Sequence, residues 1–581
     1  MRRFFLTILA LIVSNIAIGT RITIPARASG AELAYAPGEV IVKLKHGADD
    51  LAQVAAQVDA MAGSTDSNLA LVRDGNSEPL ARRSGAERLD GIISQHGLDR
   101  IFVLKVDSGV DMYQTISRLK ANDAVEYAEP NYFIKLGSFI PDDPKFGEQW
   151  ALRNLGLGVT GYPATLDADI KATEAWTITI GSPDVIVAVT DTGMDITHPD
   201  LAPNIYTNPR EIAGNGRDDD GNGYVDDVNG YNVADGNNDV SDVVGHGTEM
   251  AGIIAARTNN QAGISGMSQS RILPVKFFRR TGPGPSDINA TVADAARALL
   301  YSIAAGASII NASWTTLLSV PEDQANALRD AVAATNDAGV LLVCIAGNQG
   351  VNDDVTKVYP GAYQLDNEIV TAASQYNDEI WHPPFEPTIV LSGYGKNSVD
   401  LAAPGMAVFT TSARGQCSAC TQSSNPDDWY GNIDGTSAAA AYVSGVAALV
   451  RSRYPDDYVT VLKRRILESV DVRESLQRFV KTSGRLNAYG ALTIQISITP
   501  PSLTRLKYKT NTGKLLLYGE GIQQGAVALV GASKYKAKFK GGDQSRVVST
   551  VPESAFPAGA SVQVRLLNPD GGLSQALNFS R

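Results

Sequence analysis

The stretch VIVAVTDTG at residues 185–193 carries the clearest indication of the fold in the central part of this chain. Its first six residues are apolar or β-branched, and an aspartate, a threonine and a glycine follow them. Such continuous apolar character is typical of a parallel strand that is buried on both faces. Similar short runs occur at residues 272–277, 308–312 and 340–346. Because helical patterns separate these runs, residues 141–493 are predicted to form an α/β domain with an open, mostly parallel sheet and flanking helices.

Length and composition limit the classes of protein to which the chain can belong. It has 581 residues, of which 44% are hydrophobic and 19% are charged, so wholesale disorder is excluded. At roughly 100–200 residues per domain, about three to five folding units are expected. The 50 basic and 62 acidic residues give a net charge of −12, which does not favour a nucleic-acid partner. Three cysteines are too few for a scaffold built from disulfides.

The N-terminus has the pattern of an export signal. Arg2 and Arg3 precede the apolar run 4–11, and the small residues of Ala26-Arg27-Ala28 suit a signal peptidase. A membrane anchor is the alternative, but polar residues interrupt the run before it reaches the roughly 20 apolar residues of a span. We therefore predict a signal peptide at residues 1–28, a secreted or envelope-associated protein, and no membrane span in the mature chain.

Smaller domains are predicted on both sides of the sheet. Residues 29–140 alternate strand and helix patterns, which indicates a small α+β unit. Residues 499–581 alternate apolar and polar side chains between glycines and prolines, which favours an all-β sandwich. Its run KYKAKFK at 534–540 places four lysines on one face of a strand. The preferred interpretation is an edge strand protected from aggregation; the alternative is a surface for an anionic cell-surface polymer.

Three reactive side chains lie where the predicted strands end or the predicted helices begin. Asp191 follows the first strand, while His246 and Ser437 open helices. Ligands and catalytic groups collect at the carboxyl ends of strands in open α/β sheets. A serine hydroxyl becomes a nucleophile when an imidazole accepts its proton and a carboxylate orients that imidazole. Each residue alone is more often a turn or cap residue, but the three together predict acyl transfer.

Four short stretches resemble the motifs of the subtilases, the subtilisin-like serine proteases. They are VAVTDTG at 187–193, GHGT at 245–248, AGN at 346–348 and GTS at 435–437. The order Asp, His, Ser is that of subtilisin and differs from the order in chymotrypsin or the α/β-hydrolases. The resemblance implies a secreted serine endopeptidase that hydrolyses polypeptide substrates without a catalytic metal. The competing class is a binding protein that has kept the fold but lost turnover.

The same resemblance assigns roles to individual residues. Ser437 would attack the peptide carbonyl, His246 would act as general base and then general acid, and Asp191 would orient His246. Asn348, with the Ser437 backbone N–H, would form the oxyanion hole. The substrate-binding residues would be Ser313, Trp314, Thr315, Ala346 and Gly347. The family pattern is not kept at Ala438, Ala441, Tyr442, Glu249 and Thr315, which puts substrate preference in question more than activity.

Calcium is the cofactor that the sequence favours. Oxygen-bearing side chains alternate in an acidic loop like the first half of an EF-hand, but Asn229 replaces the final glutamate, so a true EF-hand is not expected. A solvated acidic loop is the alternative. The predicted ligands of this first site are Asp218, Asp220, Asn222 and Asp226. The resemblance to thermitase-like subtilases implies a second site at Asp143, Asp200 and Asn260.

The resemblance also implies roles for the two flanking domains, while the three cysteines are interpreted from their own sequence context. Residues 29–140 would be a prodomain that inhibits its own protease until it is cut near 136–141, with an ordinary accessory domain as the alternative. The C-terminal domain resembles an IPT/TIG fold. Cys417 and Cys420 favour a small disulfide over a zinc or redox site, since no further ligands or βαβ context are near. Cys344 is predicted to be an inert core residue.

Overall fold

The strand and helix patterns near the N-terminus form a small α+β unit in the computed structural model. Its elements are β1 (Tyr35–Leu44), β2 (Glu78–Pro79), α1 (Glu87–His96), β3 (Ile101–Lys105), α2 (Met112–Lys120) and β4 (Val125–Tyr132). The strands pair antiparallel in the order β2-β3-β1-β4. Alternate side chains of β1 point into the core, where Val40, Val42 and Leu44 are fully buried, because successive strand residues face opposite sides.

The structure describes residues 35–47, 54, 78–79, 87–105, 112–132, 139–157, 164–282, 287–316, 326–384, 386–414, 423–531, 533–540 and 543–581. The predicted signal peptide and the pair Cys417 and Cys420 lie outside the described residues. Two compact units are separated near residue 136, namely 1–136 and 137–581. The domain boundaries at residues 28, 140 and 493 stay predictions.

A nine-stranded sheet lies at the centre of the second unit. Its strands and the neighbouring short ladders are β5 (Ile186–Asp191), β6 (Tyr231–Asn232), β7 (Arg271–Lys276), β8 (Arg279–Arg280), β9 (Ile288–Asn289), β10 (Ile309–Ala312), β11 (Leu341–Ile345), β12 (Glu368–Ser374), β13 (Leu401–Pro404), β14 (Val408–Thr411), β15 (Tyr430–Ile433), β16 (Asp471–Val472) and β17 (Gly484–Arg485). The order is β16-β17-β13-β12-β11-β10-β5-β7-β6, and every pair is parallel except β16 with β17. The predicted α/β class with a mostly parallel sheet is therefore confirmed, and all four apolar runs are strands of this sheet.

The helices of this region flank the sheet, and one of them is buried along most of its length. They are α3 (Ala172–Ala175), α4 (His246–Ala255), α5 (Val292–Ala304), α6 (Asn326–Asp337), α7 (Thr436–Arg453), α8 (Val459–Leu467) and α9 (Ala488–Thr493). Every residue of α7 from Thr436 to Val450 is buried. Its alanines at 438–441 let it lie close to α4 and to the sheet. Within the described residues, no helix has the length and apolar character that crossing a membrane requires.

The C-terminal residues form an all-β region. Its strands are β18 (Ser502–Lys509), β19 (Lys514–Glu520), β20 (Val527–Val530), β21 (Ser533–Lys540), β22 (Asp543–Thr550), β23 (Ser561–Leu567) and β24 (Leu577–Ser580). They pair antiparallel in the order β18-β19-β22-β21-β20-β23-β24. The prediction that 534–540 is an edge strand is wrong, because β21 lies between β20 and β22. Lys534 pairs with Leu529 of β20, and Lys538 pairs with Val548 of β22.

Candidate active site

Asp191 and His246 meet at the carboxyl end of the sheet. Asp191 is the last residue of β5, and His246 is the first residue of α4. The His246 Nδ1 atom lies 2.8 Å from Oδ1 and 3.0 Å from Oδ2 of Asp191. The carboxylate is 2% exposed and also accepts a hydrogen bond from the Thr192 N–H at 2.7 Å. A buried carboxylate on Nδ1 fixes the imidazole orientation and leaves Nε2 for proton transfer.

The close approach of α4 to the turn after β5 depends on a glycine. A β-carbon on Gly247 would lie 2.0 Å from the Gly193 carbonyl oxygen and 3.1 Å from the Asp191 β-carbon. The Gly247 N–H donates to the Thr192 hydroxyl at 3.1 Å, which joins the helix start to the turn. The glycine that follows the histidine in the GHGT motif is therefore a packing requirement of the Asp191–His246 contact.

Asp242 was missed by the sequence reasoning, although it holds the loop that leads to His246. Its Oδ1 accepts hydrogen bonds from the N–H groups of Val244 and Gly245 and from the Thr192 hydroxyl. Its Oδ2 accepts from the Thr248 N–H at 3.0 Å and from the Thr248 hydroxyl at 2.7 Å. An acidic residue a few positions before a helix start is a common cap, and this pattern was the available signal.

Ser437 is the second residue of α7, and only 7% of its surface is exposed. Its hydroxyl donates to the Ser313 carbonyl at 3.4 Å, and the Ser313 hydroxyl donates to the Ser437 carbonyl at 3.1 Å. Among the described residues, the Ser437 hydroxyl is therefore hydrogen-bonded to Ser313 rather than to His246. A serine hydroxyl reorients by rotation about one bond, and catalytic hydrogen bonds often form only when substrate is present.

Asn348 lies three residues beyond β11 and faces the start of α7. Its Oδ1 accepts hydrogen bonds from the Thr436 N–H at 2.9 Å and from the Thr436 hydroxyl at 2.8 Å. With its oxygen used in this way, the amide offers its NH₂ group as donor on the other side. A β-carbon on Gly435 would lie 2.9 Å from Nδ2 of Asn348, so this glycine leaves room for the amide.

The charges around His246 favour its protonated form. Burial lowers the pKa of His246, but the Asp191 carboxylate, with Glu249 and Asp242 behind it, raises it to about 9. The side chain keeps 31% of its surface exposed, so solvent screens part of these interactions. Glu249 lies one helical turn after His246, and burial raises its pKa to about 7 while His246 opposes the rise. Glu249, which departs from the family pattern, thus interacts electrostatically with the His246 imidazole.

Replacing Glu249 by glutamine is expected to shift the pH profile of hydrolysis to lower pH. Only the neutral imidazole accepts the serine proton, so kcat/KM rises as pH increases toward the His246 pKa of about 9. Glu249, which is ionised at that pH, favours the imidazolium, and its loss lowers the pKa. The check is a pH profile of kcat/KM for the wild type, Glu249→Gln and the exposed-site control Glu148→Gln. An ascending limb that stays in place in Glu249→Gln contradicts this account.

The predicted substrate-binding residues lie near the nucleophile. The Trp314 indole N–H donates to the Thr190 hydroxyl at 3.0 Å, and its ring packs against Phe277 at 5.2 Å between centroids. Trp314 and Thr315 line a cavity of about 470 Å³. Ala346 and Gly347 lead from β11 to Asn348, and the Gly347 carbonyl accepts from the Gly393 N–H at 2.6 Å. Cys344 is a free, buried thiol whose pKa is raised by burial, as an inert core cysteine requires.

The acidic loop brings together two of the predicted calcium ligands, Asp218 and Asp220, with Glu211, which was not predicted. Glu211, Asp218 and Asp220 each place a carboxylate oxygen within 4.8 Å of the others. The two oxygens of Asp226 instead accept the N–H groups of Asn215 and Gly216, and Asn222 hydrogen-bonds to Tyr224 and Asp227. Glu211 is 9% exposed, and its Oε2 is buried without a hydrogen-bond partner. An unsatisfied buried carboxylate oxygen beside two further carboxylates fits a hard cation.

Asp143, Asp200 and Asn260 are brought together, as predicted, around a second loop. Asp143 accepts from the Asn259 and Asn260 N–H groups, at 2.8 and 3.0 Å. Asp200 accepts from the Asn260 amide at 3.0 Å and the Ile264 N–H at 2.9 Å. Burial and, to a lesser degree, Asp143 raise the pKa of Asp200 to about 6. Both carboxylates thus have hydrogen-bond donors here. Of the two predicted calcium sites, as far as the structure describes them, the Glu211 cluster is the one with a buried carboxylate oxygen that lacks a partner.

Comparison with known proteins identifies the family. Residues 182–493, more than half of the chain, match the model of the Subtilase family. The Thermophilic serine proteinase of Bacillus sp. (strain AK1) is 30% identical over 393 residues, which are 67% of this chain and 78% of that protein. Thermitase of Thermoactinomyces vulgaris is 29% identical over 325 residues, 56% of this chain and 93% of that protein. An Extracellular protease of Xanthomonas campestris pv. campestris is 28% identical over 367 residues, 61% of this chain and 57% of that protein. The chain therefore belongs to the subtilase family and is a subtilisin-type serine endopeptidase.

Proposed function

We propose that this protein is an exported endopeptidase in which Ser437, His246 and Asp191 form the catalytic triad. The observation that carries the proposal is the contact of His246 Nδ1 with the buried Asp191 carboxylate at 2.8 Å. Ser437 supports it from the N-terminus of α7, where backbone N–H groups and the helix dipole favour negative charge.

The reaction follows from these positions. The Ser437 hydroxyl turns from Ser313 to His246 Nε2, gives up its proton and attacks the peptide carbonyl carbon. The carbonyl oxygen becomes an oxyanion, which the Asn348 NH₂ group and the Ser437 N–H stabilise. His246 then donates its proton to the leaving amine as the C–N bond breaks, and an acyl-enzyme remains. Water, deprotonated by His246, releases the acid and restores Ser437.

The substrate class is an extended polypeptide with an apolar side chain near the scissile bond. The cavity of about 470 Å³ beside Trp314 is lined mainly by aromatic and aliphatic side chains. Besides Trp314 they are Phe277, Phe278, Ile288, Ala290, Val292, Ala295 and Leu328, and the polar residues of the lining are Asn289, Thr291, Thr315 and Thr316. The cavity is large enough for an apolar side chain of the substrate, and burying one there contributes about 1.5–3 kcal/mol of binding energy.

Export and activation by prodomain removal complete the proposal. The signal-like N-terminus supports export, and one of the relatives is named an extracellular protease. The strand β4, with the sequence VEYAEPNY, ends the first unit before residue 136. The test is the intact mass of purified wild type and Ser437→Ala. Wild type is expected to begin near 136–141, and Ser437→Ala to keep the first unit. Identical processing of both chains would contradict self-activation.

Calcium is proposed to bind the cluster of Glu211, Asp218 and Asp220. The cation would offset two of the three negative charges of these carboxylates and satisfy the buried Glu211 Oε2. Binding to the folded state alone stabilises it by about 2.7 kcal/mol at a concentration of 100 Kd. Saturating calcium is therefore expected to raise the melting temperature relative to chelated protein, and Glu211→Gln to lose most of this rise. The exposed-site control Glu386→Gln should keep it. An equal calcium response in Glu211→Gln would place the ion elsewhere.

A further inference from the structure

We propose that the C-terminal all-β region binds an anionic polysaccharide on one face of its sheet. This basic face belongs to the four neighbouring strands β18, β19, β22 and β21. Its eight basic residues are Arg505, Lys507, Lys509, Lys514, Lys536, Lys538, Lys540 and Arg546. All are exposed except Arg546, which is half-buried. The proposal goes beyond proteolysis, because no residue of this face belongs to the active site.

The two-residue period of each strand separates the basic face from the core. On β18, Leu506 and Tyr508 pack against the core, so the residues between them point outward. Leu515 and Leu517 of β19 and Val547 of β22 are buried in the same way. On β21, the inward residues are Tyr535, Ala537 and Phe539. The basic side chains therefore occupy the outward positions on all four strands.

The strand register arranges these side chains as two rows with a strip between them. Lys507 of β18 pairs with Leu516, which pairs with Val548, which pairs with Lys538 of β21. Three strand spacings of about 4.8 Å place the rows of β18 and β21 about 14 Å apart. Within each row, alternate residues are about 7 Å apart. The strip between the rows carries Lys514 and Arg546 but is uncharged at Leu516 and Val548. A polymer lying along the strip would therefore have the cations of β18 on one side and those of β21 on the other.

The C-terminal region is positively charged, whereas the whole chain has a negative net charge. Residues 501–581 contain 11 Lys and Arg and 4 Asp and Glu, although the whole chain has a net charge of −12. Eight of those 11 lie on the basic face. The acidic residues of its four strands are Glu520 at the end of β19 and Asp543 of β22, which pairs with Lys540 in the strand register. None of the six lysines makes an ion pair with a side chain that the structure describes. Like charges this close repel each other, so a polyanion would relieve an unfavourable arrangement.

Lys534, the first lysine of the KYKAKFK run, has a separate role. The Lys534 ammonium donates to the carbonyl and side-chain oxygens of Asn336 on α6, both at 3.3 Å, and lies 5.4 Å from the Tyr458 ring centroid. Burial lowers the pKa of Lys534. The sheet is thus anchored on the catalytic region by Lys534, while the next three lysines of β21 remain available to solvent. A polymer held on the basic face would keep the protease beside it.

The side chains of the face favour a polysaccharide over a membrane or a nucleic acid. Among the described residues, the exposed large hydrophobic side chains all lie outside residues 502–550, so the face has no apolar group for insertion into a bilayer. Its aromatic ring, Tyr518, is covered by Arg505 at 4.0 Å and by Arg546 at 6.0 Å, so it offers no free platform for stacking bases. A sheet face also presents no protruding element for a DNA groove. Carboxylate or sulfate groups on a sugar chain need only the cations.

The test is the binding of fluorescein-labelled heparin to the full chain, followed by fluorescence anisotropy across a salt series. All chains carry Ser437→Ala so that self-cleavage cannot remove the sheet. The double variant Lys507→Glu/Lys538→Glu reverses the charge at the centre of both rows. The control double variant Lys357→Glu/Arg565→Glu makes the same change in net charge away from the basic face. We expect the first pair to weaken binding at least about tenfold and to reduce the salt slope by roughly one for each lysine lost. The second pair should stay within about twofold, and both should keep the parental melting temperature.

Other outcomes overturn the proposal. Equal weakening by both pairs would show attraction to net charge rather than to the basic face. Duplex DNA, or vesicles of phosphatidylserine and phosphatidylcholine, that compete for the face more strongly than unlabelled heparin at physiological salt would assign it to another class of partner. A lack of heparin binding by the parent chain at that salt concentration would leave the face without this ligand.

Discussion

Replacing Ser437 by alanine is expected to lower kcat for casein by about 10⁶-fold, the size of the loss measured for the nucleophile of a related protease. The hydroxyl is the group that forms the acyl-enzyme, and no described neighbour on α7 can replace it: Thr436 is hydrogen-bonded to Asn348, and Ala438 has no nucleophile. Stability should change little, since the hydroxyl makes one long hydrogen bond of 3.4 Å. The measurement is casein hydrolysis together with a thermal melt.

Two controls keep this result interpretable. An unprocessed variant could be inactive because its first unit is still attached, so both chains should carry a site for an unrelated protease between Tyr132 and Phe139 and should be cut before assay. Ser452→Ala removes another serine hydroxyl from the same helix, where it donates to the Ala448 carbonyl. That variant should hydrolyse casein at the wild-type rate. Substantial turnover by cut Ser437→Ala would rule out the proposed nucleophile.

Replacing Asn348 by aspartate is expected to lower kcat by about 10²–10³-fold with little change in KM, the loss typical of a missing oxyanion-hole donor. Aspartate keeps an oxygen that can accept from Thr436, so the position of the loop is retained. It loses the NH₂ donor and adds a negative charge where the oxyanion forms. Because that charge matters only when the carbonyl oxygen becomes negative, the effect falls on the transition state rather than on substrate binding.

A neighbouring residue provides the matched control for this prediction. Gln349→Glu makes the same amide-to-acid change one residue later and keeps the oxygen that accepts from the Asn348 N–H at 3.1 Å. If added charge alone slowed the reaction, both variants would lose kcat to a similar degree. A near wild-type kcat for Asn348→Asp would show that Asn348 only holds Thr436 and donates nothing to the oxyanion.

The sheet and the Asp191–His246 contact could be predicted because local sequence specifies them. Continuous apolar runs such as that ending at Asp191 mark parallel buried strands, and the turn after each strand brings its side chain to one edge. The short glycine-containing motifs indicated places where two backbone segments approach closely. Gly247 is an example, because a β-carbon there would collide with the Gly193 carbonyl oxygen. The buried helix after Ser437 could be predicted for the same reason, because most residues from 438 to 450 are small or apolar.

Features that depend on pairing between distant segments could not be predicted from one sequence. Glu211 joins Asp218 and Asp220 only because the loop folds back on itself, and its spacing fits no linear motif. The sequence predicts that the lysines of β21 protect an edge strand, because strand order is not visible in it. In the structure, β20 and β22 lie on either side of β21. The basic face needs the register of four strands, since its cations extend along the chain from Arg505 to Lys540 and Arg546.

Labelling with a fluorophosphonate, followed by peptide mass spectrometry, tests whether Ser437 is a nucleophile that His246 activates. Such reagents form a stable adduct with a serine only when a neighbouring base has activated it. We expect one adduct, on the peptide that contains Ser437. We expect it to be lost in Asp191→Asn, where the His246 imidazole is no longer held in the required orientation. An adduct on a different serine, or an unlabelled Ser437 in the processed wild-type enzyme, would contradict this expectation.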